Sequence, residues 1–323
     1  IDVPEAFCNS MDWTGVLNSP QVTGNGKFFV FGSMKLQGAM DWAFGGEVRF
    51  MGSTTGKTVA LAGQGFDNDV YFDGVGGEWT LLDKFTSEQS LRFLSGTLNT
   101  NGEEVEVRFF VSDGNGVRVL DLGDTDFRVT GGAFLTGYTS TNLTVLPGTS
   151  NIIMESGGGQ FYGGEQSWYD VTFVAQPNGS NNFFSGDILH KLFCGNNVEV
   201  NEFRPGNTLN EAEFLQSAEI YGNNTFDILT LTPGKTYVLA SNATQTIHPL
   251  GNLIANGFGG FPIEIKSSQL GSQATLHKDG DPVCLDFLYL TDMVATGTGF
   301  SYAGANSDDV FNNSGWLFQA CPS

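Results

Sequence analysis

Along nearly its whole length the chain alternates apolar and polar residues in short runs, each closed off by Gly, Asn, Ser or Asp. Period-two alternation puts successive side chains on opposite faces of an extended backbone, so each run is committed to a half-buried β-strand. Early examples are Lys27–Phe31 (KFFVF), Glu47–Met51 (EVRFM), Glu104–Val111 (EVEVRFFV) and Val117–Leu122 (VRVLDL). Later ones are Asp170–Val174 (DVTFV), Asp227–Leu231 (DILTL) and Pro262–Lys266 (PIEIK). Turn-forming pairs separate them: Asn101-Gly102, Asp113-Gly114, Pro147-Gly148, Asn178-Gly179 and Pro233-Gly234. The one helix candidate is Asn210–Ile220 (NEAEFLQSAEI), where Asn210 and Glu213 stand at capping-box spacing. Ala212, Phe214, Ala218 and Ile220 alternate equally well there, and the strand-like surroundings decide for strand. The pattern predicts an all-β protein.

Two architectures fit: tandem β-sandwiches, or one parallel β-helix. Internal repetition favours the second. Asp69-Val70-Tyr71-Phe72, Asp170-Val171-Thr172-Phe173 and Asp227-Ile228-Leu229-Thr230-Leu231 read as copies of one rung. Glu78–Leu82 (EWTLL) parallels Thr236–Ala240 (TYVLA), and Asn101-Gly102 parallels Asn256-Gly257, with small drift in spacing. Drift is expected of a solenoid, in which any coil can gain or lose loop residues. With roughly 20 to 25 residues per coil, the chain predicts on the order of a dozen or more coils. Stacked at about 4.8 Å, they would make a rod roughly 60–70 Å long. The 44 Gly and 25 Asn suit corners that need positive φ, and the 28 Phe are expected mainly in the stacked interior. No linker-like stretch interrupts the 323 residues, so a single module is expected over 1–323.

Charge narrows the function classes. Fourteen Lys+Arg against 35 Asp+Glu give a formal charge of −21. Nucleic acid requires a basic surface and is excluded as a partner. An anionic membrane face is equally disfavoured. No stretch approaches 18 consecutive apolar residues, so no membrane-spanning helix is expected. The chain begins at Ile1 without a signal-like pattern, which suggests a processed product or a piece of a longer protein.

Catalytic patterns are sparse. His190, His248 and His277 stand apart from one another, with no G-x-S-x-G elbow and no H-x-x-x-H pair. Carboxylates form three groups worth following: Asp121, Asp124 and Asp126; Asp279 and Asp281; Asp308 and Asp309. Asp279-Gly280-Asp281 opens like a calcium loop but lacks the remainder of that motif, so calcium is the only cofactor with any support. Gly157-Gly158-Gly159 has neither the Lys-Ser/Thr nor the helix of a phosphate loop. Asn142-Leu143-Thr144 and Asn242-Ala243-Thr244 match glycosylation triplets, a frequent coincidence in Asn-rich chains. No catalytic residue is assigned and no enzymatic activity is expected. Cys8, Cys194, Cys284 and Cys321 are the possible disulfide cysteines, with three pairings open. Cys8 and Cys321 lie near the two ends, where a staple would be useful.

Several stretches resemble a recurrent unit of very large surface and secreted proteins of Bacteroidota. They are Val70–Gly102 (VYFDGVGGEWTLLDKFTSEQSLRFLSGTLNTNG), Leu120–Gly131 (LDLGDTDFRVTG) and Gly222–Gln245 (GNNTFDILTLTPGKTYVLASNATQ). Phe261–Ser267 (FPIEIKS), Gly271–Lys278 (GSQATLHK), Val283–Asp292 (VCLDFLYLTD) and the closing Tyr302–Trp316 (YAGANSDDVFNNSGW) belong with them. The resemblance covers about Gly24 to Trp316. It implies a right-handed parallel β-helix; because an open coil exposes strand edges and apolar core, capped ends are expected with it, 1–23 as an N-terminal cap or junction, 24–316 as the solenoid and 317–323 as a C-terminal junction. It implies export by type IX secretion, a cell-surface or extracellular location, and a structural or adhesive role like that of SprB-type gliding-motility adhesins. Implied partners are adjacent modules of the same polypeptide and surface glycans or a substratum. Related units often carry a cysteine near the position of Phe258 or Gly259, partnering the equivalent of Cys284. Its absence here makes Cys194 the implied replacement. The competing expectation is a polysaccharide-binding or polysaccharide-cleaving β-helix, which needs carboxylates and aromatics, including Trp13, Trp42, Trp79, Trp168 and Trp316, gathered on one face.

Overall fold

A computed structural model describes residues 1–137, 140–174, 180–184, 186–196 and 199–321. Its described residues contain strands and no helix, and the strands stack in parallel into a β-solenoid of about 14 turns. The chain divides into two compact units, Ile1–Tyr169 and Asp170–Ser323. Asn210–Ile220 is strand rather than helix, broken at 215–217 where its alternation breaks: Thr208–Phe214 and Ala218–Ile220 each enter a ladder. The Asn178-Gly179 turn lies outside the described residues.

In the first unit each coil contributes to three parallel ladders. One runs from Glu5–Cys8 through Lys27–Val30 and Glu47–Phe50 to the start of Val70–Leu81. It continues through Phe85–Asn99, Val105–Val111 and Asp126–Leu135 to Gln160–Tyr162. A second joins Met11–Asp12, Met34–Lys35, Lys57–Ala60, the end of Val70–Leu81, the end of Phe85–Asn99, Arg118–Asp121 and Leu143–Leu146. On the third side Gln21–Gly24 pairs with Asp41–Phe44 as a separate two-stranded sheet, and the starts of Phe85–Asn99, Val105–Val111 and Asp126–Leu135 pair in turn up to Asn151–Met154. Residues 1–23, expected as a cap or junction, thus already hold ladder strands.

The second unit has two long ladders. Glu199–Phe203, Ala218–Ile220, Thr236–Leu239, Ile263–Ser267, Leu288–Thr291 and Asp308–Phe311 make one. Ile188–Cys194, Thr208–Phe214, Asn224–Leu231, Thr244–Ile254, Ala274–Lys278 and Met293–Thr296 make the other. Rung spacing runs from 17 residues, Thr208 to Thr225, up to 31, Thr244 to Thr275. That variation is why the repeat is faint in sequence.

Inward positions fill the coils with like stacked on like. Phe50 lies on Phe72 at 4.7 Å, and Phe110, Phe134 and Phe161 continue as a column at 4.6 and 5.2 Å. Among the described residues sixteen Phe are buried, which makes them core rather than a binding platform. Corners carry the polar counterpart. Asn101 and Gly102 both have positive φ, 56° and 75°, as the Asn-Gly pair predicts. Inside the second unit, buried Asn207, Asn224 and Gln245 form a ladder: Asn207 Nδ2 donates to Asn224 Oδ1 at 3.1 Å, and Asn224 Nδ2 to Gln245 Oε1 at 3.0 Å. Each amide meets the need its neighbour leaves open, which a buried polar group requires.

Candidate functional site

The residues singled out in the sequence are placed as follows. His190 Nδ1 meets Asp170 Oδ1 at 2.7 Å across one rung, His277 Nδ1 meets Thr296 Oγ1 at 3.0 Å, and His248 Nδ1 accepts the Leu250 amide at 3.3 Å. The three histidines are therefore engaged separately. Asp126 reaches Arg128 at 3.8 Å, while Asp124 lies exposed at a corner against Gly102. Asn142 and Asn242 both occupy left-handed corners, φ 60° and 59°, with their amides donating to Asn115 O and Ser272 Oγ. Gly158 is likewise a positive-φ corner.

Asp279-Gly280-Asp281 surrounds a cation, but one belonging to the chain. The buried Lys278 ammonium donates to the carbonyls of Pro249 at 2.9 Å, Asp279 at 3.1 Å and Asp281 at 3.0 Å. The backbone oxygens a calcium loop would offer are thus committed to Lys278. Asp279 Oδ1 accepts the Thr298 amide, and Asp279 Oδ2 lies 3.6 Å from His277 Nε2. Among the described residues no three His, Cys, Asp or Glu side chains converge in a metal-holding group.

The cysteines resolve the three open pairings. Cys284 is bonded to Cys321, and Cys8 and Cys194 are free. The terminal Cys8–Cys321 staple and the Cys194–Cys284 bridge are both replaced by this pairing. Cys194 points inward from Ile188–Cys194 and is fully buried, whereas Cys284 is exposed on Val283–Cys284. Burial pushes the Cys194 thiol far up.

Outward positions of the first unit form charged and aromatic ladders. Phe7 stacks on Phe29 at 4.8 Å; on the next rungs Arg49 lies 3.8 Å over the Tyr71 ring, with Arg92 on its far neighbour. Carboxylates neutralise both arginines: Glu47 holds Arg49 at 2.8 Å and Asp69 holds Arg92 at 2.9 Å. Burial works against the Asp69 charge, but bonds from Arg92 and Ser90 outweigh it and hold that carboxyl below its ordinary value. Lys84 and Arg128 knit Glu104, Glu106 and Glu155 in the same manner.

A concave site occurs in the second unit, where the ladder Ile263–Ser267, Leu288–Thr291 and Asp308–Phe311 meets its corners. It is an open groove of about 530 Å³ between Phe258, Pro262, Phe287 and Tyr289 on the apolar side and Asn306 and Asp308 on the polar side. Phe258-Gly259-Gly260-Phe261 is a small antiparallel hairpin in a parallel fold. Phe258 and Phe261 exchange both backbone hydrogen bonds, and their rings touch at 5.1 Å. They are 52% and 55% exposed, and Tyr289 is 41% exposed. Phe287 has φ 56°, a costly conformation for a bulky side chain. Asp286 fixes this corner by accepting the amides of Phe287 at 3.1 Å and Asn306 at 2.8 Å, and the Asn306 side chain at 2.7 Å. Burial opposes its ionisation, yet those bonds keep the Asp286 carboxyl below its usual range.

Of this group only Asp308 belongs to the carboxylates followed in the sequence. The signal for the rest was the FGGF segment: two aromatics flanking a Gly-Gly loop read as a hairpin that presents both rings. The five tryptophans do not gather there. Trp42, Trp79, Trp168 and Trp316 are buried and Trp13 is half-buried. Compared with known protein families, curated proteins and solved structures, the chain matches none.

Proposed function

We propose that the chain is a non-enzymatic structural and adhesive module of a large extracellular or cell-surface protein, of the gliding-adhesin kind exported by type IX secretion. The observation that carries this reading is the use made of outward side chains. Arg49, Tyr71 and Arg92, or Lys191 with Glu211 and Glu213, bridge one coil to the next instead of converging on one point. Such ladders add stiffness across the stacking direction, which a tether needs. The edge of Glu5–Cys8 opposite Lys27–Val30 has no strand partner among the described residues, and Phe7 is exposed on it. An unpaired parallel edge is a template for another strand, and an adjacent module of the same polypeptide would satisfy it.

A polysaccharide-binding role is the second reading; the tryptophans expected to carry it are buried or half-buried and do not, and what favours it instead is the aromatic groove beside Phe258. Both readings need passive attachment. Beads coated with the protein should be retained under flow on glass or on glycan-coated glass more strongly than albumin-coated beads. Retention no better than albumin on every surface would contradict the adhesive role.

A further inference from the structure

We infer that the groove beside Phe258 and Tyr289 binds a neutral saccharide chain, with sugar rings laid on its aromatic wall. This rests on the adhesive reading and names the ligand class for it. Three observations point the same way.

The first is presentation. The solenoid buries most of its Phe, but Phe258 and Phe261 stand on a projecting hairpin whose glycines, Gly259 and Gly260, have open space where a Cβ would be. Apolar surface held in water this way is unfavourable, and contact with a ligand would recover that cost. The second is fixed geometry. Phe287 is held at positive φ by Asp286, and its neighbour Tyr289 is set by pairing with Glu264 and Asp308 on adjacent rungs. A wall fixed before binding loses little entropy on contact. The third is chemistry. Aromatic faces with a few hydrogen-bonding groups suit the weakly apolar CH faces and hydroxyl edges of a pyranose. Asn306 and Asp308 line the same groove and offer hydrogen-bonding groups to such hydroxyls.

Charge selects among saccharides. No Lys or Arg lines the groove, Asp308 does, and Asp286 stands ionised behind Asn306. On a chain of net charge −21 this repels uronic or sulfated polymers and leaves neutral ones.

The test is calorimetric titration of the whole chain with cellohexaose, chitohexaose, mannohexaose and hexagalacturonate. The expected result is binding of at least one neutral hexasaccharide, none of hexagalacturonate, and a loss of tenfold or more in the Phe258→Ala/Phe261→Ala variant. Both rings are exposed, so the variant should keep its thermal midpoint; Tyr289→Ala provides a second, independent loss. Absence of binding by all three neutral probes, equal binding of hexagalacturonate, or full binding by both variants would overturn the proposal. So would sedimentation showing a dimer that the double variant dissolves, since the rings would then serve a second copy. Bead retention that survives in the double variant would remove the groove while leaving the adhesive role intact.

Discussion

Lys57 is 5% exposed, its ammonium has no hydrogen-bond partner among the described residues, and it lies 5.1 Å from the Trp79 ring. Burial lowers its pKa, with Glu78 opposing only in part. A depressed lysine pKa means the unfolded chain binds the proton more tightly, so this group subtracts stability at neutral pH. The penalty fades as pH rises toward the ordinary lysine range. Lys57→Met should therefore stabilise the protein by about 1 kcal/mol or more at pH 7, and by less near pH 10, in urea titrations at both pH values. Tyr237 has the opposite sign. Burial raises it to about 12, and its hydroxyl donates to Phe214 O at 3.0 Å and accepts the Thr232 amide at 2.8 Å. Its contribution is complete below the unfolded value near 10 and is lost as pH climbs toward 12. Tyr237→Phe should cost about 1–2 kcal/mol at pH 7 and flatten that alkaline loss.

At the scale of elements, corners and ladders decide stability. Gly148 has φ 53°, and a Cβ there would overlap the carbonyl oxygen of Gly123 on the coil below. Gly148→Ala should cost about 1–3 kcal/mol or more, read from thermal melts. Asn224→Ala should cost about 2–4 kcal/mol, because it leaves Asn207 and Gln245 buried without their shared partner. The corner chemistry was legible in the sequence: Asn101-Gly102 and Pro147-Gly148 announce positive φ, and KFFVF or EVRFM announce which side faces in. The groove was not, because Pro262, Phe287 and Asn306 are separated by two whole coils and meet only through rung stacking. Asp279-Gly280-Asp281 was legible as a turn that opens like a calcium loop, and nothing in its residue types showed that its carbonyls hold Lys278. Backbone acceptors leave no trace in residue identity.

For the whole molecule, charge and covalent closure set the response to solution conditions. A charge of −21 keeps neighbouring chains apart at pH 7, and the repulsion vanishes near the sequence pI of about 4.2. Light scattering should show rising particle mass as pH falls toward that value. The Cys284–Cys321 bond closes 37 residues of sequence separation. Reduction should lower stability by about 3 kcal/mol, with loss concentrated among residues 284–321 in hydrogen exchange. The proposed role requires this chain to hold its ligand without changing it. Mass spectrometry of neutral hexasaccharides after prolonged incubation with the protein tests that directly. Chains that co-elute with the protein and keep their full mass are the predicted result; shortened or unsaturated chains would contradict it.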